Sequence, residues 1–187
     1  MFGQRVFVNG GTSQYGSDEV RELERSTAAH NTVVINGENS SEVWDGFRVA
    51  RRAYPRDLVI KETTKLVSVS CAHDGYRRLS GKPIHRRTWE FSDSALTVSD
   101  KINGDYESAV AYFHVHPDIN ISENPVGGWL LHLPQRKKVS VIVEVGNSEW
   151  ISSFYAPEFG KRLKTRCLKI ELPQEGSRVT INWSSND

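Results

Sequence analysis

The sequence predicts an all-β protein, a large antiparallel two-sheet β-sandwich with little helix. Apolar and polar residues alternate with a period of two over many short segments, which is the side-chain period of a strand. Turn sequences such as Asn9-Gly-Gly11 and Asn103-Gly-Asp105 separate these segments. Many short strands with almost no helix are typical of two antiparallel sheets packed face to face.

The predicted strands follow one another along the whole chain. The first is Val6–Asn9, and the second is the β-branched run Asn31–Ile35, which ends in the turn Asn36-Gly37. The remaining strands are predicted at 47–53, 58–60, 66–70, 89–91, 96–98, 109–116, 129–133, 139–145, 168–172 and 179–183. Thr63-Thr64 joins the pair at 58–60 and 66–70.

Residues 17–25 are the exception to the strand pattern. They predict either a short helix, with Ser17 or Asp18 as its N-cap, or a charged loop with one helical turn, because only Val20 and Leu23 supply an apolar face. We find no low-complexity linker and no fixed repeat, so we expect residues 1–187 to form a single domain. Only five residues precede Val6, which predicts a C-terminal fragment of a longer protein.

Composition excludes several classes of function. The chain has 24 basic and 23 acidic residues, a net charge of +1, whereas nucleic-acid and anionic-membrane binding usually require a basic excess. No apolar stretch approaches the roughly 20 residues of a membrane span, and the N-terminus has no signal-peptide core. Cys71 and Cys167 match no metal-binding spacing, so two free thiols are favoured over one disulfide. The compartment stays open.

The most specific motif is Arg25–Gly37, which contains His-Asn-Thr at 30–32. A Gly-Thr-x-x-Tyr turn at 11–15 precedes it, and Arg-Arg-Ala at 51–53 follows. Further motifs stand at 73–76 (His-Asp-Gly-Tyr), 84–87 (Ile-His-Arg-Arg), 98–104 and 113–117. In this order the motifs resemble the C-terminal β-sandwich region of the heparinase II/III-like polysaccharide lyase family. The resemblance covers most of the chain and fades after about Gly128.

This resemblance implies a sandwich of the supersandwich type, preceded in the full-length protein by a helical α/α toroid domain that is absent here. Several family members cleave uronate-containing polysaccharides by β-elimination. That reaction needs a neutralised uronate carboxylate, a base for the C5 proton and an acid for the leaving oxygen. The resemblance assigns most of these groups to the toroid, so no catalytic set is complete in this chain.

We therefore expect one wall of a cleft for an acidic polysaccharide, inactive by itself. Alginate, heparan sulfate and bacterial surface glycans all remain open as substrates. The alternative is a non-catalytic carbohydrate-binding or structural module of a surface-polysaccharide biosynthesis protein. The resemblance favours a periplasmic or extracellular location for the full-length protein.

Three residues are predicted to contact substrate. By analogy with the family, Tyr15 faces the cleft. Arg25 can hold a uronate carboxylate through its planar guanidinium, or it can pair with a glutamate of its own loop, Glu22 or Glu24. Arg48 belongs to a predicted strand with Arg51 and Arg52, where the row of cations could bind an anionic glycan or form a solvated face.

His30 and Asn9 are the candidate metal ligands. In the family, the histidine of the His-Asn-Thr motif helps to bind a structural zinc, together with an upstream His-x-His-x-Asp motif and a strand-end aspartate. Here Asn9 takes the place of that aspartate, and the upstream motif is absent from the chain. Because zinc prefers four donors, we expect zinc in the full-length protein rather than in this chain, which requires no cofactor. The favoured interpretation of His30 is a hydrogen-bonded residue that holds a turn.

Overall fold

A computed structural model describes residues 1–183 of the chain. Its helical elements are α1 (Glu19–Arg25) and two short 3-10 turns, Thr27–Ala29 and Pro134–Arg136. The strands are β1 (Val33–Ile35), β2 (Pro55–Glu62), β3 (Val67–His73), β4 (Ile84–Phe91), β5 (Ala95–Asn103), β6 (Ala109–His114), β7 (Asn120–Glu123), β8 (Trp129–His132), β9 (Lys138–Val145), β10 (Asn147–Tyr155), β11 (Leu163–Glu171) and β12 (Ser177–Trp183).

The strands form two antiparallel sheets. The smaller sheet has four strands in the order β1-β6-β11-β10, and the larger has eight in the order β2-β3-β4-β5-β12-β9-β8-β7. Apolar residues of both sheets meet in one buried core, including Ile35 and Ile170 from the smaller sheet and Val141 and Ile181 from the larger. The predicted all-β, two-sheet sandwich is therefore confirmed. No helix among residues 1–183 is long and apolar enough to cross a membrane.

The alternating pattern explains how each strand contributes to this core. In β12, Val179 and Ile181 are buried, whereas Arg178 between Ser177 and Val179 is exposed. Val179 pairs with Val98 of β5 on one side and with Val143 of β9 on the other. Neighbouring strands thus present one apolar row to the interior, as expected for a sheet with one buried face.

Two predicted strands are wrong. Val6 and Val8 are buried, but residues 6–9 contribute only an isolated bridge, Phe7 to Val115. The segment 47–53, with Arg48, also forms no strand and makes only the bridge Val43 to Val49. The reason is the Asp-Gly turn at 45–46, which folds this segment back onto residues 42–44.

The helix and the free thiols are confirmed. Asp18 is the N-cap of α1, and its Oδ1 accepts a hydrogen bond of 2.9 Å from the backbone N–H of Arg21. Cys71 and Cys167 are both free. Strands β7 and β10 were not predicted, because the serines and asparagines in both segments obscure the apolar alternation.

Candidate functional site

Exposed aromatic side chains gather at one end of the sandwich. Tyr15, Phe47 and Phe159, here called the aromatic platform, are 67%, 69% and 63% exposed. The ring centroid of Tyr15 lies 5.7 Å from that of Phe47 and 5.0 Å from that of Phe159. Large aromatic side chains are usually buried at least in part, so a cluster this exposed indicates a contact surface.

Arg21 of α1 contacts the two loops that carry Tyr15 and Phe47. Its guanidinium lies 5.8 Å from the ring centroids of both Tyr15 and Phe47. Its Nη1 donates to the Thr12 hydroxyl at 3.1 Å, and its Nε donates to the Gly46 carbonyl at 3.3 Å. A buried arginine with several partners holds its neighbours in one arrangement, so the platform rests on a fixed base.

The loop that carries Phe159 is connected to the rest of the platform through Ser13. The Glu24 carboxylate accepts from the Ser13 backbone N–H at 3.0 and 3.1 Å, and also from its hydroxyl. The Ser13 carbonyl in turn accepts from the Gly160 N–H at 2.7 Å, next to Phe159. The platform is therefore built from segments about 145 residues apart in sequence, held by α1 and its contacts.

A polar pocket is connected to the platform through residues 43–47, which supply both Val43 and Phe47. It has a volume of about 280 Å³, and Arg25, His30 and hydroxyl-bearing side chains line it, namely Thr27, Thr32, Ser40 and Ser41, together with Val43. The Nη1 of Arg25 donates to the Asp45 carbonyl, so the loop that carries Phe47 also fixes Arg25. The arrangement combines one guanidinium, one imidazole and several hydroxyls in one concave surface, which suits a hydroxylated anion.

Asn31 holds the turn that carries His30. Its side-chain amide donates to the Val8 carbonyl at 3.1 Å, and its Oδ1 accepts from the His114 N–H at 2.7 Å. Its backbone N–H donates to Asn9 Oδ1 at 3.3 Å. Asn31, the middle residue of the His-Asn-Thr motif, therefore connects the His30 turn to residues 8–9 and to His114. These bonds also bring Asn9 close to the turn.

A buried network of charged side chains is hydrogen-bonded to the same turn. Arg87 donates from Nε and Nη2 to Asp100 at 2.7 and 2.8 Å, and its Nη1 donates to the Asn31 carbonyl. His85 lies 2.7 Å from Asp100 through Nε2, and its Nδ1 lies 3.1 Å from Nε2 of His73. Asp100 and His85 are only 1% and 2% exposed. Buried charges need such complete pairing.

The electrostatic environment lowers several pKa values in this region. Burial lowers the pKa of His73 to about 4, with a further contribution from His85. Burial by itself would raise the pKa of Asp100, but Arg87 and His85 outweigh it and hold that pKa well below its usual range. Desolvation also lowers the pKa of His30, although the residue as a whole is exposed.

The structure brings some of the predicted site residues together and separates others. Arg25 and His30 line the same pocket, whereas Tyr15 lies on the aromatic platform and does not line that pocket. Among the described residues, Arg25 pairs with neither Glu22 nor Glu24: it donates to the Asp45 carbonyl, and the Glu24 carboxylate accepts from Ser13. Arg48 is exposed on the 42–48 loop, where its guanidinium lies 5.0 Å from the Trp44 ring centroid.

The donors for a metal are too few in the described residues. His30 offers one imidazole, and Asn9 offers a neutral amide oxygen that already accepts from Asn31. Residues 1–183 contain no group of three or more His, Cys, Asp or Glu side chains that could hold a metal ion. An imidazole and an amide alone do not make a zinc site. The backbone also holds the His30 turn, through a 3.1 Å hydrogen bond from its N–H to the Thr27 carbonyl.

Sequence reasoning missed Phe159 and Arg21 of the platform. Phe159 lies in a turn that the motifs do not reach, and nothing local distinguishes it from a core residue. Arg21 belongs to the charged segment 17–25, where a solvated side chain is the usual outcome, yet it is only 9% exposed. The motif at 84–87 did signal Arg87, but its partner Asp100 becomes evident only from the pairing of β4 with β5.

Two solved structures illustrate the similarity in fold. A heparinase III gene product is 16% identical with a TM-score of 0.72, and the match covers 95% of this chain and 28% of that one. Heparan sulfate lyase HepC from Pedobacter heparinus is 14% identical with a TM-score of 0.77, covering 99% and 29% respectively. The chain thus spans less than a third of their length, and identities this low show the fold alone. No curated protein matches the sequence.

The sequence itself also matches a family. The family described as heparinase II/III-like, C-terminal, matches residues 1–184, which is nearly the whole chain. This match agrees with the ordered motifs around His30 and with the two-sheet fold. The chain therefore belongs to the heparinase II/III-like family and corresponds to its C-terminal region.

Proposed function

We propose that this chain forms one wall of a cleft that binds an acidic, uronate-containing polysaccharide, which the full-length protein cleaves by β-elimination. The observation that carries the proposal is the aromatic platform of Tyr15, Phe47 and Phe159, together with the polar pocket whose Arg25 bonds to the loop that carries Phe47. Family membership and the lyase names of the structural neighbours support the same interpretation.

The platform suits the apolar faces of sugar rings. When a ligand covers exposed aromatic rings, the burial of apolar surface stabilises the complex by about 25 cal/mol per Å². The C–H faces of a pyranose offer such surface, while its hydroxyls stay in water at the rim. Arg21, held beneath Tyr15 and Phe47, keeps the rings in place before substrate arrives, which reduces the entropy cost of binding.

The polar pocket suits the carboxylate and hydroxyls of a uronate. A guanidinium has five N–H donors. The bond from Arg25 Nη1 to the Asp45 carbonyl positions the group and leaves other N–H donors for a ligand. A carboxylate can accept two parallel hydrogen bonds from such a group. The hydroxyls of Ser41 and Thr32 line the same surface and can bond to the sugar.

We propose that this chain supplies binding, and that the base and acid of the reaction come from a toroid domain of the full-length protein. A uronate C5 proton becomes acidic only when its carboxylate is neutralised, and its removal needs a positioned base. We propose that Arg25 contributes to carboxylate binding but that no β-elimination occurs without the toroid. The chain alone should release no unsaturated uronate product, as judged by ultraviolet absorbance.

We propose that a structural zinc belongs to the full-length protein and is not bound by this chain alone. His30 and the amide oxygen of Asn9 are two donors, whereas zinc requires about four, and residues 1–183 contain no group of three or more His, Cys, Asp or Glu that could hold a metal. Metal analysis after dialysis against zinc should give far less than one equivalent. A stoichiometric zinc that His30→Ala removes would overturn this assignment.

Binding of a uronate oligosaccharide to the chain, followed by calorimetry or NMR, tests the proposal. Tyr15→Ala and Phe159→Ala should each weaken binding by about 3- to 10-fold, the effect of roughly 1 kcal/mol of lost aromatic contact. Phe91→Ala is the matched control, because Phe91 is also exposed, at 42%, but lies on β4, outside the platform and its loops. Equal losses in all three variants, or no binding by the wild type, would refute the proposal.

A further inference from the structure

A second pocket lies on the outer face of the smaller sheet, between that sheet and α1. Phe113 of β6 packs in the core, so its neighbours Tyr112 and His114 point to the opposite face. Both line the pocket, together with Leu23 of α1 and Ala28 of the 3-10 turn that follows it. The pocket volume is about 310 Å³. Small-molecule sites usually occupy roughly 300–1,000 Å³, so this one suits a small ligand.

Most of the lining is apolar. Aliphatic and aromatic groups come from α1, the 3-10 turn and β10, namely Leu23, Ala28, Ala29, Ile151, Phe154 and Ala156. Leu23 and Phe154 are both exposed, at 49% and 38%. A ligand in the pocket would therefore cover apolar surface that otherwise meets water, which favours binding.

Several polar groups of the lining are already paired within the chain. His114 lies 2.9 Å from the Ser153 hydroxyl through Nδ1 and 2.8 Å from the Ala28 carbonyl through Nε2. Because a carbonyl can only accept, Nε2 carries the hydrogen and Nδ1 accepts from the hydroxyl. The Glu24 carboxylate accepts from the backbone N–H and hydroxyl of Ser13. His114 and Glu24 therefore shape the pocket and do not need a ligand to satisfy them.

Arg162 supplies the positive charge of the lining and has no counter-charge. Its guanidinium lies 3.8 Å from the ring centroid of Phe154. Among the described residues, this guanidinium makes no ion pair and no hydrogen bond. Burial lowers the pKa of His114, so its imidazole is neutral at neutral pH and adds no second positive charge. The pocket thus combines an apolar wall with one unpaired cation.

We propose that this pocket binds a small amphipathic carboxylate, whose apolar body covers Leu23 and Phe154 and whose carboxylate pairs with Arg162. A guanidinium that lies on an aromatic ring uses its face for that contact, so its in-plane N–H groups stay available for two parallel hydrogen bonds. A sugar fits less well, because its hydroxyls would be buried against Ala28 and Ile151 without partners.

This site is separate from the polar pocket that contains Arg25 and His30. The two pockets share no lining residue. They also differ in chemistry, since hydroxyl-bearing side chains dominate the polar pocket and hydrocarbon groups dominate this one. Binding of the amphipathic carboxylate is therefore independent of the proposed polysaccharide cleft.

Titration with 1-naphthoate, followed by calorimetry, tests the role of the charge. The neutral amide 1-naphthamide has the same rings and should bind about 3- to 10-fold more weakly, because it cannot form a charge-assisted pair with the exposed guanidinium. Arg162→Gln should remove this preference by weakening naphthoate alone. Arg77→Gln is the matched control, since Arg77 is exposed and does not line the pocket. A preference that survives in Arg162→Gln, or no binding of naphthoate to the wild type, would overturn the proposal.

The apolar wall is tested separately, with both probes. Leu23→Ala should weaken naphthoate and naphthamide alike, by about 3- to 10-fold, because both lose the same buried surface. Leu66→Ala, at another exposed leucine outside the pocket, should change neither. In NMR titrations the amide signals of Ala28 and Ala29 should shift with either probe. Naphthoate binding that Arg25→Gln abolishes and Leu23→Ala leaves intact would locate the probe in the polar pocket and contradict the assignment.

Discussion

Arg87 donates two parallel hydrogen bonds to Asp100, 2.7 Å from Nε to Oδ1 and 2.8 Å from Nη2 to Oδ2. The same guanidinium bonds to the Asn31 carbonyl, which connects this buried pair to the turn that carries His30. A bidentate pair fixes both distance and orientation. The pair therefore holds the carbonyl of Asn31, which lies between the pocket residues His30 and Thr32.

Asp100→Asn should destabilise the fold strongly. The change keeps the shape of the side chain but leaves the buried Arg87 without its counter-charge, which typically costs about 3–5 kcal/mol. Urea unfolding measures the loss. Asp57→Asn is the matched control, because Asp57 pairs with Arg86 at 3.0 Å on the exposed surface, where a pair is worth about 0–1 kcal/mol. Similar losses in both variants would contradict the assigned role of Asp100.

Stability should fall as the pH is lowered through the range from 6.5 to about 4. The folded pKa of His73 is about 4, below its unfolded value of 6.5, because burial disfavours its charged form. The unfolded chain therefore binds more protons in this window, and the free energy of unfolding decreases by up to about 1.4 kcal/mol per pH unit for one such group. Urea midpoints measured across this range check the slope.

His73→Gln should flatten this slope. An amide can donate to His85 Nδ1 and accept from the Gly75 N–H, which lies 3.3 Å from His73 Nδ1, but it cannot be protonated in this range. His30 and His114, whose pKa values burial also lowers, should leave a smaller residual slope. A variant with the wild-type slope would show that His73 is not responsible for the pH dependence of stability.

Gly46→Ala should loosen the aromatic platform. A Cβ at Gly46 would lie 2.0 Å from the Gly16 carbonyl oxygen, so the loops of Phe47 and Tyr15 would have to separate. Overpacking of this kind costs about 1–3 kcal/mol. Faster hydrogen exchange of both loops would report it. Gly16→Ala is the control, since its Cβ would meet only Asp18 Oδ2 at 3.9 Å, and exchange as fast as in Gly46→Ala would contradict the steric reason.

The two cysteines should differ in reactivity. Burial raises the pKa of Cys167 to about 12, so it carries almost no thiolate at neutral pH. Cys71 lies on β3 and is partly exposed. A thiol reagent should therefore modify one cysteine in the native chain and the second only after unfolding, as mass spectrometry would show. Rapid modification of both in the native state would contradict the buried placement of Cys167.

Local patterning predicted the fold because most strands have one buried face. Alternation in β12 and β9 is regular, so both were found within two residues of their bounds. Strand β10 was missed because Ser148, Ser152 and Ser153 interrupt its apolar positions. The segment at 47–53 looked like a strand, but the turn at Asp45 and Gly46 folds it into a loop.

The candidate site was predictable only in part, for a different reason. The His-Asn-Thr motif located Arg25 and His30, which lie five residues apart and line one pocket. The platform depends on contacts between distant segments, and no local pattern brings Phe159 to Tyr15. Likewise, pairing Arg87 with Asp100 required the register of β4 against β5. Tertiary contacts, rather than periodicity, assemble these groups.

The most direct measurement compares the affinity of the chain for a uronate oligosaccharide with that for the same oligosaccharide after its carboxylates are reduced to alcohols. We expect the uronate to bind more tightly and Arg25→Gln to remove most of this difference, while the reduced sugar binds wild type and variant alike. Equal affinity for the two sugars, or a preference for the uronate that survives in Arg25→Gln, would contradict the proposed function.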